Sequence, residues 1–278
     1  MSDIRRVLFP VDLSLKFRSL SPTARKLFDR PGVEIIMLHA IEEPPRTGRG
    51  TEVERAVMQM EFMAHKDFQH AKITLRTDRG PAAGCILDCA ESRPVDVIVM
   101  PAGGLDSLRR NSPGHVTEEV LDAASCAVWF EWMSNSVEAG NEICCMLGLD
   151  DGDEAAICQA VAIARQLESE LTLVHAAESS AQMLPWVELR DSDRSVHFAR
   201  RRVEQLRERY APAATLHVEK GHPDTVVSRI LHRRSASLLI DHGQTPNLFA
   251  ASLACPVLRL AKAKVLELAA AVGRKERA

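Results

Sequence analysis

Residues 101–120, PAGGLDSLRRNSPGHVTEEV, hold the densest set of groups able to bind an anion. They follow the apolar run VDVIVM and lead into a helical pattern, and small residues between a strand and a helix are where α/β proteins hold phosphates. Gly103, Gly104 and Gly114 let backbone amides approach a ligand closely. A protonated His115 can donate to a phosphate oxygen, and Arg109 and Arg110 add charge-assisted donors. Asp12 follows FPV at the end of a predicted strand, where its carboxylate can accept hydrogen bonds from a ligand. The segment DLS suits a turn or helix cap equally.

Other polar residues carry less. His39 and His175 both stand at predicted strand ends, where a hydrogen-bonded structural histidine is expected before a metal ligand. The groupings open to a metal, His39 with His115 and Asp12, or Asp150 with His175 and His242, lack compact ligand spacing. Cys85 and Cys89 share a helical face, Cys144 and Cys145 face opposite sides of a strand, and no CxxC occurs, so structural thiols are expected. Residues 200–210, RRRVEQLRERY, interleave Glu204 and Glu208 with arginines, the pattern of a solvated helix face. No nucleophile, base and orienter stand together, so the sequence predicts no enzyme.

The elements that must position these residues come as a repeat. VEIIMLHAIEE at residues 33–43 is echoed by SELTLVHAAES at 169–179, and His39, Ala40 and Glu42 meet His175, Ala176 and Glu178. VLFPVDLS matches CMLGLDDG, setting Asp12 against Asp150; Gly80 meets Gly221, VDVIVM meets ASLLID, and Cys126 meets Cys255. Matches in one order point to a tandem duplication, joined through the polar residues 134–142. Within each half, apolar β-branched runs (near 6–11, 33–41, 72–77, 95–100 and 126–131 in the first) alternate with helical patterns, such as residues 51–68 and their counterpart near 180–209. The fold class is therefore α/β, with two tandem doubly wound five-stranded parallel sheets. In such sheets ligands sit beyond the carboxyl ends of the strands at the topological switch point, which singles out Asp12, Ser14, residues 39–42 and the opening stretch. A net charge of −3 gives no reason to expect nucleic acid or an anionic membrane as partner. The N-terminus has no signal-peptide layout and no apolar run is long enough to span a membrane, so a cytoplasmic location is expected.

On FPVDLS, MLHAIE, GPAAGCIL and DVIVMPAGG…GHVTEEVLDAASCAV, both halves resemble universal stress proteins of the UspA type. The resemblance implies domains at 1–133 and 141–262, a helical tail at 263–278, and a Rossmann-like fold in each half. It implies a site for ATP or another adenine nucleotide in the first domain, formed by Pro10, Val11, Asp12, the Ala40 backbone, Met100, Gly103, Gly104, Gly114, His115, Val116 and Thr117. No metal is expected beyond the magnesium that accompanies a nucleotide. Nucleotide-binding members carry G-x2-G-x9-G-[S/T] after the fourth strand. Here Pro101 stands at the first glycine, Gly104 and Gly114 fit the next two, and His115 replaces the hydroxyl residue. The second domain's loop is twelve residues shorter and keeps only Gly243, so that copy is degenerate.

The resemblance further implies a signalling or protective role in stress, with no turnover. It implies an intramolecular pseudo-dimer through antiparallel pairing of the fifth strands CAVWFEW and CPVLRLA, association of two such chains, and a protein partner of unknown identity. Two alternatives stay open: a sensor or scaffold for a non-nucleotide small molecule, with His115 and Arg109 redirected to an anion, and a slow nucleotide hydrolase, by analogy of fold.

Overall fold

The computed structural model describes residues 4–13, 20–41, 49–102, 114–132, 140–177, 188–243 and 255–261. The chain divides into two compact units, Ser2–Ser136 and Val137–Ala278. The expected helical tail lies outside the described residues, as do residues 103–113 of the anion-binding stretch.

The first unit runs β1 (Arg6–Pro10), α1 (Pro22–Phe28), β2 (Glu34–Ile41), α2 (Arg49–Asp67), β3 (Lys72–Arg79), α3 (Ala82–Ser92), β4 (Val97–Ala102), α4 (His115–Ala123) and β5 (Ala127–Trp132). Its sheet has the order β3-β2-β1-β4-β5, with every neighbouring pair parallel. The central strands are apolar on both faces: Val7, Leu8 and Phe9, and Ile35, Ile36, Met37 and Leu38, are all at most 2% exposed. Such runs form strands because helices cover both faces of a parallel sheet.

Local chemistry sets the helix ends. Ser21 caps α1, its Oγ accepting from the Ala24 amide at 3.2 Å, and Pro22 supplies a preset first helical φ. Glu131 of β5 holds Ser21 in turn, accepting from its amide (2.9 Å) and its hydroxyl (2.7 Å). At the other end of α1, Phe28 meets the fully buried Trp129 edge to face, with centroids 5.2 Å apart.

The second unit runs β6 (Glu142–Met146), α5 (Asp153–Leu167), β7 (Glu170–Ala177), α6 (Glu188–Tyr210), β8 (Thr215–Lys220), α7 (Pro223–Arg234), β9 (Ala236–Asp241) and β10 (Val257–Arg259). Its sheet repeats the arrangement as β8-β7-β6-β9-β10, again parallel throughout. Both units thus have the doubly wound parallel architecture that the alternating pattern predicts. Among the described residues, no helix is long and apolar enough to cross a membrane.

One detail differs from the sequence reading. The segment expected to open a loop at Pro101 is still strand: Pro101 and Ala102 belong to β4 and pair with Glu131 and Trp132 of β5. The proline is tolerated because β1 pairs with β4 only at Val97 and Ile98, so at Pro101 no β1 carbonyl waits for an amide. The helix expected near 180–209 is present as α6 from Glu188, and its expected part before Glu188 lies outside the described residues.

Candidate functional site

In each sheet the order reverses between the first and fourth strands, so the crevice lies beyond the ends of β1 and β4, and of β6 and β9. In the first unit the chain leaving β1 is tied on both sides. The Val11 amide donates to the Leu38 carbonyl at 2.8 Å, and His39 Nδ1 donates to the Val11 carbonyl at 3.0 Å. Asp12 follows immediately and is exposed. Ala40 lies in β2 beside this connection, and Met100, 4% exposed, lies in β4.

The far side is the start of α4. Gly114 is its N-cap, at φ −64° and ψ 157°, and makes no side-chain capping bond. The first-turn amides of α4 are left without a side-chain acceptor from the cap, the feature that makes a helix N-terminus receptive to anions. His115 is exposed, Val116 half-buried and Thr117 4% exposed, and Glu118 is exposed in the same turn, which therefore offers both an imidazole and a carboxylate to solvent. The donors here suit a phosphate chain, and the carboxylate of Asp12, in the chain leaving β1, suits a hydroxyl or amine. Gly103, Gly104, Arg109 and Arg110 lie outside the described residues.

The second unit places a cluster of charged side chains in the segments that follow β6 and β9. The backbone ties recur: the Leu147 amide donates to Val174 O (2.8 Å), and His175 Nδ1 donates to Leu147 O (2.9 Å). These bonds make Leu147 the counterpart of Val11, so Gly148 stands where the first unit has Asp12. The sequence alignment of Asp12 with Asp150 is therefore corrected by two residues. His175 is occupied by this backbone bond, and the grouping of His175 with Asp150 and His242 gives way to a different one.

That grouping is Asp150, Asp153 and His242, whose ligand atoms lie within 4.8 Å of one another. Strand registers make His242 the counterpart of Pro101, since Val7 pairs with Val97 as Ile143 pairs with Leu238. His242 follows β9 and is 6% exposed; Asp153 opens α5 and is 1% exposed. They meet through His242 Nε2 and Asp153 Oδ1 at 2.9 Å, and the Gly148 amide donates to the same oxygen at 2.9 Å. Asp150 Oδ1 lies 3.9 Å from His242 Nδ1 and accepts from the Gly152 amide at 2.7 Å. Leu149, just before Asp150, has φ 62°, an uncommon left-handed setting for a leucine.

Burial alone pushes the pKa of His242 down. The hydrogen bond that His242 donates to Asp153 and the charges of Asp153, Asp150 and Asp241 outweigh it, and the pKa lies above the ordinary histidine value. Neighbouring Asp241 is fully buried and has its own cation, Arg259, with Nη2 at 3.1 Å and Nε at 3.2 Å. A carboxylate at the first position of α5 is favourable beside that helix's N-terminal amides.

Sequence reasoning missed Asp153. Its signal is the acid-rich LDDGDE between a strand and a helix, with Asp153 three residues beyond the first acid.

The model of the universal stress protein family matches the chain twice, at residues 3–130 and 141–266. Among solved structures, a universal stress protein from Archaeoglobus fulgidus aligns with a TM-score of 0.66 at 14% identity, over 93% of this chain and 99% of its own. A protein of unknown function from Pseudomonas aeruginosa PAO1 aligns with a TM-score of 0.64 at 13% identity, over 98% of both chains. A putative universal stress protein from another Pseudomonas aeruginosa strain gives 0.61 at 15%, over 97% and 98%. At such identities these likenesses show a shared fold. No match was found among curated proteins. Two family matches on two units of one architecture settle the assignment: the chain belongs to the universal stress protein family and carries two of its domains in tandem.

Proposed function

We propose that this protein acts in stress signalling or protection and that its first domain binds ATP or another adenine nucleotide. The observation that carries this reading is the arrangement at the first switch point. Asp12 follows β1, Met100 lies in β4, and the uncapped N-terminus of α4 comes next on the same edge of the sheet. In this reading Asp12 accepts from the ribose or adenine end, and the Val11 and Ala40 backbone and Met100 line the base. The phosphates lie against the amides of Gly103, Gly104 and residues 114–117, with His115 donating in place of a hydroxyl. The second domain is read as a degenerate copy, its glycine loop twelve residues shorter and keeping only Gly243. The role in this reading is binding; among the described residues no nucleophile, base and orienter stand together.

Calorimetry with ATP at low salt tests the claim on the intact chain and on Asp12→Ala. Binding that falls by about tenfold or more in the variant, the loss of one charge-assisted bond, supports the reading. No binding heat for the intact chain sinks it. Native mass spectrometry of freshly purified protein reads out a co-purified nucleotide and the state of self-association together.

A further inference from the structure

We propose that Asp150, Asp153 and His242 form a binding site for a divalent cation of the zinc class. The three residues come from separate places, the loop after β6, the first position of α5 and the residue after β9, and converge within 4.8 Å. This assignment is independent of nucleotide binding in the other domain.

The hydrogen bonds of the cluster leave it incomplete. Asp153 is 1% exposed, and its Oδ1 takes both the Gly148 amide and His242. Its Oδ2 is buried with no hydrogen-bond partner among the described residues. A buried carboxylate oxygen without a donor is costly to keep. A cation satisfies it where no N–H or O–H reaches.

The donor set selects the ion. Two carboxylates balance the charge of a divalent cation and leave the imidazole neutral, which is the form that ligates. Ligands held about 2.0–2.2 Å from one ion lie up to about 4 Å apart. The 3.9 Å between Asp150 and the His242 ring fits that spacing and exceeds a hydrogen bond. An imidazole among the ligands favours zinc-like ions over magnesium or calcium, which take oxygen alone. Asp150 is exposed, giving the ion an entry from solvent, whereas His242 and Asp153 are anchored in the interior. The Gly148 amide on Asp153 supplies the outer support that fixes a ligand in place.

The test uses the full chain stripped with a chelator, titrated with Zn²⁺ and separately with Mg²⁺, beside Asp150→Asn and His242→Gln. Asp150 is exposed, so its variant keeps the fold even if His242→Gln does not, and circular dichroism checks both. The expected result is one Zn²⁺ per chain, weakened about tenfold or more by Asp150→Asn and further by His242→Gln, with Mg²⁺ far weaker. Loading with Co²⁺ should give visible bands without thiolate charge transfer, which separates this site from the seven cysteines. No Zn²⁺ uptake, uptake unchanged in both variants, a thiolate band, or Mg²⁺ bound in preference to Zn²⁺ would each overturn the proposal.

Discussion

His39 holds Val11 by a hydrogen bond from imidazole Nδ1 to the main-chain carbonyl at 3.0 Å, and the bond recurs between His175 and Leu147 at 2.9 Å. A carbonyl only accepts, so Nδ1 carries a proton in both rings. Each bond pins the backbone just beyond the first strand of its unit, directly before Asp12 in one and Gly148 in the other. The two histidines therefore have a positioning role that the repeat has kept while the neighbouring side chains diverged.

That symmetry leads to an asymmetric result on substitution. His39→Leu and His175→Leu should each destabilise their own unit by about 1–2 kcal/mol, the cost of a partly buried carbonyl left without its donor. Only His39→Leu should also weaken ATP binding, because only Val11 precedes the proposed ligand carboxylate. Urea unfolding and calorimetry on both variants check this; equal effects on ATP would remove the positioning argument.

Asp29, which ends α1, clamps the connection between α2 and β3. Its carboxylate accepts from the amides of Gln69 (2.9 Å), His70 (2.8 Å) and Ala71 (3.0 Å). Burial alone would raise its pKa, but these bonds and the His70 side chain outweigh burial and hold it below the usual 3.8. A depressed folded-state pKa means that the stabilisation is fully present above the unfolded value and fades as pH falls through the folded one. Asp29→Ala should therefore cost about 1–3 kcal/mol at neutral pH and progressively less as the pH is brought below the usual carboxylate range. Denaturant midpoints of both proteins at neutral and acidic pH give the answer, and a pH-independent gap would show that the clamp does not act through its charge.

Gly140, at the entrance to β6, lies against another backbone. A Cβ placed there would overlap the carbonyl oxygen of Ser235, a residue in the left-handed region at φ 48°. No rotamer relieves a clash between a Cβ and a main chain, so the turn or the strand must move. Gly140→Ala should destabilise the second unit by about 2 kcal/mol or more, within the range of overpacked interiors. A thermal melt unchanged from the parent chain would contradict it.

How much of this was legible in the sequence follows from which forces are local. The runs VLFP and IIML read as strands because both faces are buried, so nothing polar interrupts them. The repeat was legible for the same reason. Pro101 misled, since a proline after an apolar run reads as the start of a loop. Whether it ends a strand depends on how far the neighbouring strand still pairs, which is a tertiary fact. The Asp12–Asp150 alignment slipped because LGLDDG offers acids at several spacings, while the register is set by the Leu147–Val174 backbone bond. Asp153 looked like an ordinary acidic residue at a helix start. Its burial depends on His242, 89 residues away, and no local pattern announces that pairing.

The start of α4 gives a test in which stability and binding move in opposite directions. His115 is exposed in the first turn, after an N-cap glycine with no side-chain acceptor. A carboxylate there is favourable for the helix, because the unpaired amides and the dipole attract negative charge, by about 0.3–1 kcal/mol. The same carboxylate repels a phosphate drawn to those amides. His115→Asp should thus leave the melting temperature unchanged or raised while lowering ATP affinity about tenfold, the equivalent of about 1.4 kcal/mol. His115→Ser, which puts a hydroxyl at the third-glycine motif, should bind ATP at least as well as the parent chain. A variant that merely damaged the fold would lose both stability and binding, so the opposed signs are diagnostic. Undiminished ATP affinity in His115→Asp would mean that the phosphates do not lie at this helix, and the proposed orientation of the nucleotide would have to be abandoned.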